Sequence, residues 1–555
     1  MIMQFLSDRP SEMQSCDHSL RDENRDESQF ANPTHLAKHW RATAASAVAI
    51  AGTGILIGLP WLFQSCFLLG MIGYTCLIMR AAEQSPLRAA SESFACGLIA
   101  LAIAFHWASN SIFGTTHLSY TMSILVFIGL IVWEAIAFGL LGLASCMLRS
   151  KGPRWLWLLV PIWVTIETHW PRIFSWATAH AYLGFPPILQ IAEIAGTAGV
   201  TAIALMGSVA LARYWRFRSS AQAMGEAALA FTMILICCGW GVYAFASWQE
   251  RIGAASTLRI AAIQVDPTYV ESLGKMQQLS DHVSGAADLV LWPESTLGNY
   301  SVSLDHFGDE DFTVANSEMP NPALLPYPDL HCDLLAGGKT YEVGQRDQGV
   351  YKNTAFLIDR QQSIIGRYVK RSLMPIGEYV PGETWFPVLR DWAAVSDKIV
   401  CGTSNMPLEL SHGQRVGMLV CYEDMVADNA ASSVREGAEV LVALANGSAF
   451  KDPDTLRQHL KLAQLRSIEN RRAMIRCAAT GVTCLIQPDG TITDELPIGE
   501  DGVLCKSVPL FDDTTFYTRN GNWVAESATW ITLALVPFLL FRGLAPPDSP
   551  WSVGH

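Results

Sequence analysis

Apolar residues dominate the chain from Ala42 to Trp248, interrupted at intervals by short polar turns. Seven runs stand out, at 42–59, 61–79, 94–110, 120–148, 155–170, 190–212 and 228–248. Most approach the ~20 residues that carry a helix across a bilayer, although the first and fifth are short and the fourth is long. Seven such runs in succession leave no polar faces for a water-soluble helical core, so residues 42–250 read as a seven-helix membrane domain. Pro60, between the first two runs, predicts a tight hairpin. An eighth run, 526–541, lies near the end and predicts a final transmembrane helix, about eight in all. Residues 1–41 are polar and of mixed charge, as in SLRDENRDES, and predict a disordered tail. No apolar run begins before Arg41, which argues against a secretory signal.

After Trp248 the pattern changes. LRIAAIQV, ADLVLWPE, NTAFLID, VGMLVCYE, VLVALAN and MIRCAAT are short apolar runs, several with β-branched residues, and predict strands. The segments 270–284, 425–437 and 454–470 predict helices, the last with Leu456, Leu460 and Ala463 near one face. Strands alternating with helices over 257–510 predict an α/β domain. Periodicity alone does not give its topology.

Charge sharpens this division. Only 16% of the residues are charged, against about 25% in ordinary soluble proteins. The net charge of −13 argues against a nucleic-acid partner, because phosphate binding needs a basic face. Lys38 and Arg41, then Arg80 and Arg88, then Arg149, Lys151 and Arg154, then Arg213, Arg216 and Arg218 fall in alternate loops. The intervening loops carry little basic charge, so the basic loops are expected to be cytoplasmic. An odd number of spans then places the α/β domain outside. The run 526–541 returns the chain to a cytoplasmic tail, 542–555.

Three polar residues sit at or near the ends of strand-like runs: Glu294 closing ADLVLWPE, Lys370 in IIGRYVKRSLMPIGEYVP, and Cys421 in VGMLVCYE. A carboxylate, an amine and a thiol suit acyl transfer, as base, oxyanion stabiliser and nucleophile. Each has a plainer reading alone. Glu294 could be a turn residue, Lys370 a solvated surface charge, and Cys421 a small buried hydrophobe.

WPE at 292–294, YVK with GEYVP at 368–381, and CYE at 421–423 resemble the three signature segments of the nitrilase superfamily, in order and spacing. The resemblance implies an αββα sandwich and a triad of Glu294, Lys370 and Cys421. Lys339, in LLAGGKTYE, competes for the lysine role but lacks the surrounding pattern. Glu378, Tyr422 and Glu423 are implied as supporting residues; an ordinary turn carboxylate is the other reading of Glu378. Membrane spans before such a domain and one after it resemble the apolipoprotein N-acyltransferase family of bacterial inner membranes. QHLKLAQLRSIENRRAMIRCAATGVT, TFYTRNGNW, HW at 106–107 and AYLGFPPILQIAEIAGTAGV carry the same likeness. It implies a ping-pong reaction on the periplasmic side. Acyl would pass from a phospholipid to Cys421 as a thioester, and then to the α-amino group of a diacylated lipoprotein. No cofactor or metal is implied, and a monomer is expected.

Three segments depart from the family pattern. IQVDPTYVESL lacks the usual tryptophan, with Tyr269 a loose substitute; NGSAF at 446–450 replaces Asn-Asp-Ala-Trp-Phe; Ala479-Thr480-Gly481 replaces Asn-Thr-Gly. They leave the acceptor open. An amidase or acyltransferase of related build acting on another acceptor, or a non-catalytic scaffold, are the alternatives. Cys332, Cys401, Cys477, Cys484 and Cys505 share the outer domain with Cys421, where an oxidising compartment would permit disulfides. No cysteine or histidine cluster has metal-ligand spacing, and His106 and His117 read as interfacial.

Overall fold

The computed structural model describes residues 33–115, 118–265, 272–297, 301–304, 330–342, 350–388, 390, 398–448, 450 and 452–541. Most of the expected N-terminal tail, the 542–555 tail, His117 and Tyr269 lie outside them. The chain divides at Ala49 into a short N-terminal unit and a second unit, Ile50–His555, which holds both the helical and the α/β regions.

The helical region runs α1 (Pro33–Leu62), α2 (Phe67–Ala81), α3 (Pro86–Ala104), α4 (Ala108–Thr115), α5 (Tyr120–Lys151), α6 (Leu159–His169), α7 (Pro186–Leu189), α8 (Ala192–Phe217) and α9 (Ala221–Ala254). Six spans among the described residues are long and apolar enough to cross a membrane, in α1, α2, α3, α5, α8 and α9. The fifth expected span is instead a 3-10 segment, Pro153–Leu158, followed by the 11-residue α6. The tight hairpin expected at Pro60 is present between α1 and α2 but falls just after it. Pro60 lies in the last turn of α1, where the chain continues as helix to Leu62 and turns at Phe63–Cys66. Small residues let these helices approach closely: a Cβ on Gly97 of α3 would lie 2.7 Å from the Phe138 ring of α5.

The α/β region begins with β1 (Thr257–Gln264), α10 (Ser272–Val283), β2 (Leu289–Trp292), β3 (Ser301–Leu304), β4 (Asp333–Glu342), β5 (Val350–Ile358), β6 (Ile364–Val369) and β7 (Lys398–Ile399). It continues with β8 (Leu408–Glu409), β9 (Arg415–Val420), a 3-10 turn at Cys421–Met425, α11 (Ala427–Arg435), β10 (Val440–Ala445), α12 (Pro453–Asn470) and β11 (Met474–Ala478). Then follow β12 (Cys484–Ile486), β13 (Ile492–Glu495), β14 (Gly502–Pro509), α13 (Phe516–Asn520) and α14 (Trp523–Phe541), the helix expected at 526–541.

One sheet has the order β14-β1-β2-β4-β5-β6, with β3 beside β4 and β7 beside β5; the other has the order β13-β12-β11-β10-β9-β8. Strand alternation decides which side chains fill which layer. Leu258, Ile260, Leu289, Leu291 and Leu335 of the first sheet meet Val416, Met418, Val440, Val442 and Ile475 of the second. The opposite face of the first sheet packs on Met276 of α10, and that of the second on Val434 of α11 and Leu456, Leu460 and Ala463 of α12. Helices therefore cover two sheets packed face to face.

The other side of α12 is buried too. Leu462, Leu465 and Ile468 belong to the apolar cluster of the membrane helices, together with Tyr422 and Met425 of the 3-10 turn. Polar groups lock this joint. Glu469, fully buried, accepts the Thr197 amide at 2.9 Å and its hydroxyl at 2.7 Å at the start of α8, and pairs with Arg466 at 2.7 Å. Breaking a buried pair by deleting one partner costs about 3–5 kcal/mol. Glu469→Ala is therefore expected to lower the thermal unfolding midpoint in detergent markedly more than Glu439→Ala, a change at a loop carboxylate; equal midpoints would show that the joint does not hold the domains.

Candidate active site

The chemistry-bearing groups collect where strands of both sheets end. β9 stops at Val420 and the chain enters the 3-10 turn with Cys421 at φ +52°, in the left-handed region. A non-glycine residue is rarely found there, and a nucleophile on such a turn projects from the strand end. Glu423 holds the turn. Its Oε2 accepts the Val420 amide at 2.8 Å and the Tyr368 hydroxyl at 2.9 Å, and its Oε1 accepts the Arg371 and Ser372 amides at 2.6 and 2.9 Å. Burial pushes this carboxyl above its ordinary range even though the amide donors oppose the shift. Every oxygen being engaged, Glu423 supports the turn from behind and joins it to the loop after β6.

That loop begins at Lys370, whose side chain is 1% exposed. Its amide donates to the Asn353 carbonyl at 2.9 Å, and its ammonium donates to Glu378 Oε1 at 2.7 Å and lies 3.8 Å from Glu294 Oε1. Burial opposes the charge, but Glu294, Cys421 and Glu378 outweigh it and hold the ammonium above its ordinary pKa. Glu378 is fixed in turn by the Met374 amide at 2.7 Å. Its place as a charge partner favours the supporting reading over an ordinary loop carboxylate.

Glu294, 6% exposed, follows Pro293 at the end of β2. The Asn353 side-chain amide donates to its Oε1 at 2.7 Å and the Asn446 backbone amide to its Oε2 at 2.9 Å. Gly337 on β4 makes room for it: a Cβ there would lie 2.6 Å from Glu294 Cα. The three expected residues thus share one desolvated site. Burial and the negative charge of Glu294 push the Cys421 thiol well above its ordinary pKa, against the pull of Lys370. These surroundings favour the protonated thiol. Lys339 is elsewhere, with its ammonium 4.1 Å above the Tyr351 ring. Tyr422 turns into the apolar joint with the membrane helices.

Several contributors carry little signal in the sequence. Asn353 opens an apolar run and looks like an ordinary strand-end polar residue. Asp424, fully buried, accepts from His459 Nε2 at 2.6 Å and Arg476 Nε at 2.7 Å, tying the nucleophile's turn to α12 and β11. Those partners depend on tertiary packing and share no spacing. The twelve described cysteines are all unpaired, and no described group of histidine, cysteine and carboxylate residues has the makings of a metal site.

Two outcomes follow for this geometry. Gly337→Ala should displace Glu294 and cut the rate of Cys421 acylation by at least tenfold while the protein stays folded by circular dichroism; an unchanged rate would show the contact to be slack. Because the thiol is raised, its thiolate fraction grows with pH throughout the neutral and mildly alkaline range. Iodoacetamide labelling of the Cys421 peptide, followed by mass spectrometry from pH 7 to 10, should climb without a plateau. A plateau near neutral pH would mean a low-pKa thiolate instead.

Two family models match in series. Residues 53–210 match the apolipoprotein N-acyltransferase N-terminal domain and residues 259–512 the carbon-nitrogen hydrolase domain. An apolipoprotein N-acyltransferase of Geobacter metallireducens is 26% identical over 87% of this chain and 94% of its own length. One from Ralstonia nicotianae is 28% identical over 72% of this chain and 73% of its own. An amidase from Nesterenkonia sp., of known crystal structure, is 19% identical over 50% of this chain and 97% of its own, with a TM-score of 0.34. With both domain models in sequence and full-length relatives aligned across the membrane and α/β regions alike, the chain belongs to the apolipoprotein N-acyltransferase family of membrane proteins.

Proposed function

We propose that the protein moves a fatty acyl chain from a phospholipid to the N-terminal α-amino group of a diacylglyceryl-cysteine lipoprotein, through a thioester on Cys421. The observation that carries this reading is the pairing of a buried Lys370 ammonium with Glu294 beside a high-pKa thiol at a strand end. In the first half-reaction Glu294 takes the thiol proton as sulfur attacks the sn-1 ester carbonyl. Lys370, with a backbone N–H after Cys421, stabilises the oxyanion. The C–O bond breaks and Glu294 returns the proton to the departing lysophospholipid. In the second, the lipoprotein amine attacks the thioester, Glu294 accepts its excess proton, and the thiol is regenerated as the amide forms.

The alternating basic loops support an orientation with the α/β domain on the periplasmic side of the bacterial inner membrane. Both lipid-borne substrates would then arrive from the outer leaflet. One observation keeps a different acceptor in play: the altered NGSAF segment begins at Asn446, whose amide touches Glu294.

Intact mass spectrometry after incubation with phospholipid should show a fatty-acyl adduct on Cys421 that disappears as an added diacylated lipopeptide becomes N-acylated. Cys421→Ala should carry no adduct, and Lys370→Met and Glu294→Gln should form it at least a hundredfold more slowly. Transfer retained in Cys421→Ala would remove the mechanism. An adduct the lipopeptide cannot discharge would move the acceptor elsewhere.

A further inference from the structure

Between α6, α8 and the turn beyond the nucleophile lies a cavity of about 280 Å³ that the triad does not use. Met425, Val426 and Ala427 form one wall, and Thr197 and Thr201 of α8 another. Ser175 lines it as well and lies beside the phenol of Tyr422, the neighbour of Cys421. The cavity and the catalytic turn therefore share a wall.

Its polar lining is unevenly satisfied. Glu167 offers no open oxygen: Oε1 accepts the Thr178 amide and hydroxyl at 2.7 and 2.5 Å, and Oε2 the Thr201 hydroxyl at 2.9 Å. Arg466 is engaged by Glu469, Thr197 and the Met425 carbonyl. Arg172 differs. Its side chain is 5% exposed, its Nη1 donates to the Trp176 carbonyl at 2.6 Å, and its Nε faces Glu134 at 3.3 Å. Its plane lies 3.9 Å from the Trp176 ring, and its Nη2 meets no partner among the described residues. The indole N–H of Trp170 and Oδ1 of Asn522, also on the lining, are equally shielded from solvent and equally unmet. Buried polar groups left unsatisfied around an empty volume mark a place for a complementary ligand.

We propose that this cavity is a subsite for the phosphodiester of the acyl donor, with Arg172 Nη2 and the Trp170 N–H donating to its oxygens and Asn522 accepting from the headgroup beyond. A guanidinium with an open edge, fixed over an aromatic ring, is pre-organised for a phosphate oxygen. Glu134 offsets part of the Arg172 charge, which suits a singly charged diester better than a dianionic monoester. A cavity of this size accommodates a phosphodiester headgroup. A lipid held there by its phosphate would have its ester carbonyls close to the Cys421 turn. The inference rests on the phospholipid reading of the donor, and it adds the residues that recognise the part of the lipid which does not react.

The test uses the full-length protein carrying Cys421→Ala, titrated with dioctanoyl phosphatidylglycerol and with matched dioctanoylglycerol, and bound lipid is counted by native mass spectrometry. The phospholipid should bind at least tenfold more tightly. Arg172→Gln should abolish that preference and leave dioctanoylglycerol binding unchanged; Trp170→Phe, which keeps an aromatic side chain and removes the indole's five-membered ring with its N–H, should weaken it several-fold. Equal binding of the two lipids by the parent, a preference that survives both substitutions, or a parallel loss for both lipids would overturn the subsite. Inorganic phosphate separates the sources: displacement of the phospholipid at millimolar phosphate, lost in Arg172→Gln, identifies a site that reads phosphate alone, and lack of displacement one that needs the lipid's chains. Intact preference in a protein whose Cys421 never acylates would instead sink the transferase reading and leave the subsite standing.

Discussion

The Lys370 ammonium is the constraint around which the site is built. A charge with 1% of its side chain exposed is tolerated only where partners replace water. Two different segments supply them: the GEYVP loop through Glu378 and the end of β2 through Glu294. The two carboxylates are not equivalent. Glu378 makes the 2.7 Å contact and is pinned by a backbone amide, whereas Glu294 stands off at 3.8 Å. One carboxylate thus balances the lysine, and the other is left for proton transfer in the proposed reaction.

The nucleophile's turn meets a second demand of the same kind. A cysteine at φ +52° is strained, and strain persists only where the surroundings over-determine the conformation. Glu423 does this with four donors from the backbone and Tyr368, and Asp424 with His459 and Arg476. The acidic pair after Cys421 therefore faces away from the chemistry: one carboxylate fastens the turn to the lysine's loop, the other to the helix and strand behind it.

The meeting of Glu294, Lys370 and Cys421 was legible because each sits in a short contiguous segment at or near the end of a strand that its apolar pattern reveals. The sandwich followed from resemblance rather than periodicity, because the order of strands depends on pairings far apart in sequence. Asn353, Asn446 and Gly337 were illegible for a related reason. Each acts through a backbone approach or a single hydrogen bond fixed only once β2, β4 and β5 lie side by side in one sheet and the end of β10, in the other sheet, meets them. In α12 the pattern showed Leu456, Leu460 and Ala463 as an inner face. Leu462, Leu465 and Ile468, on the other side, look surplus to a soluble domain until the membrane helices cover them. Pro60 marked the hairpin to within a few residues: the last turn of α1 accommodates it, and the chain reverses just beyond at Phe63–Cys66.

That second face of α12 ties chemistry to the membrane. Tyr422 and Met425 lie in the apolar cluster of the membrane helices, one residue and four residues beyond the nucleophile. Glu469 fastens the same joint through Thr197. Moving the α/β domain off the helices would uncover the turn that sets the Cys421 conformation. In the proposed reaction the thioester must survive until an amine arrives, and water competes for it throughout. An apolar seam that begins at the residue after the nucleophile shields that part of the turn from bulk water. The membrane domain, on this view, is part of the active site and not merely its anchor.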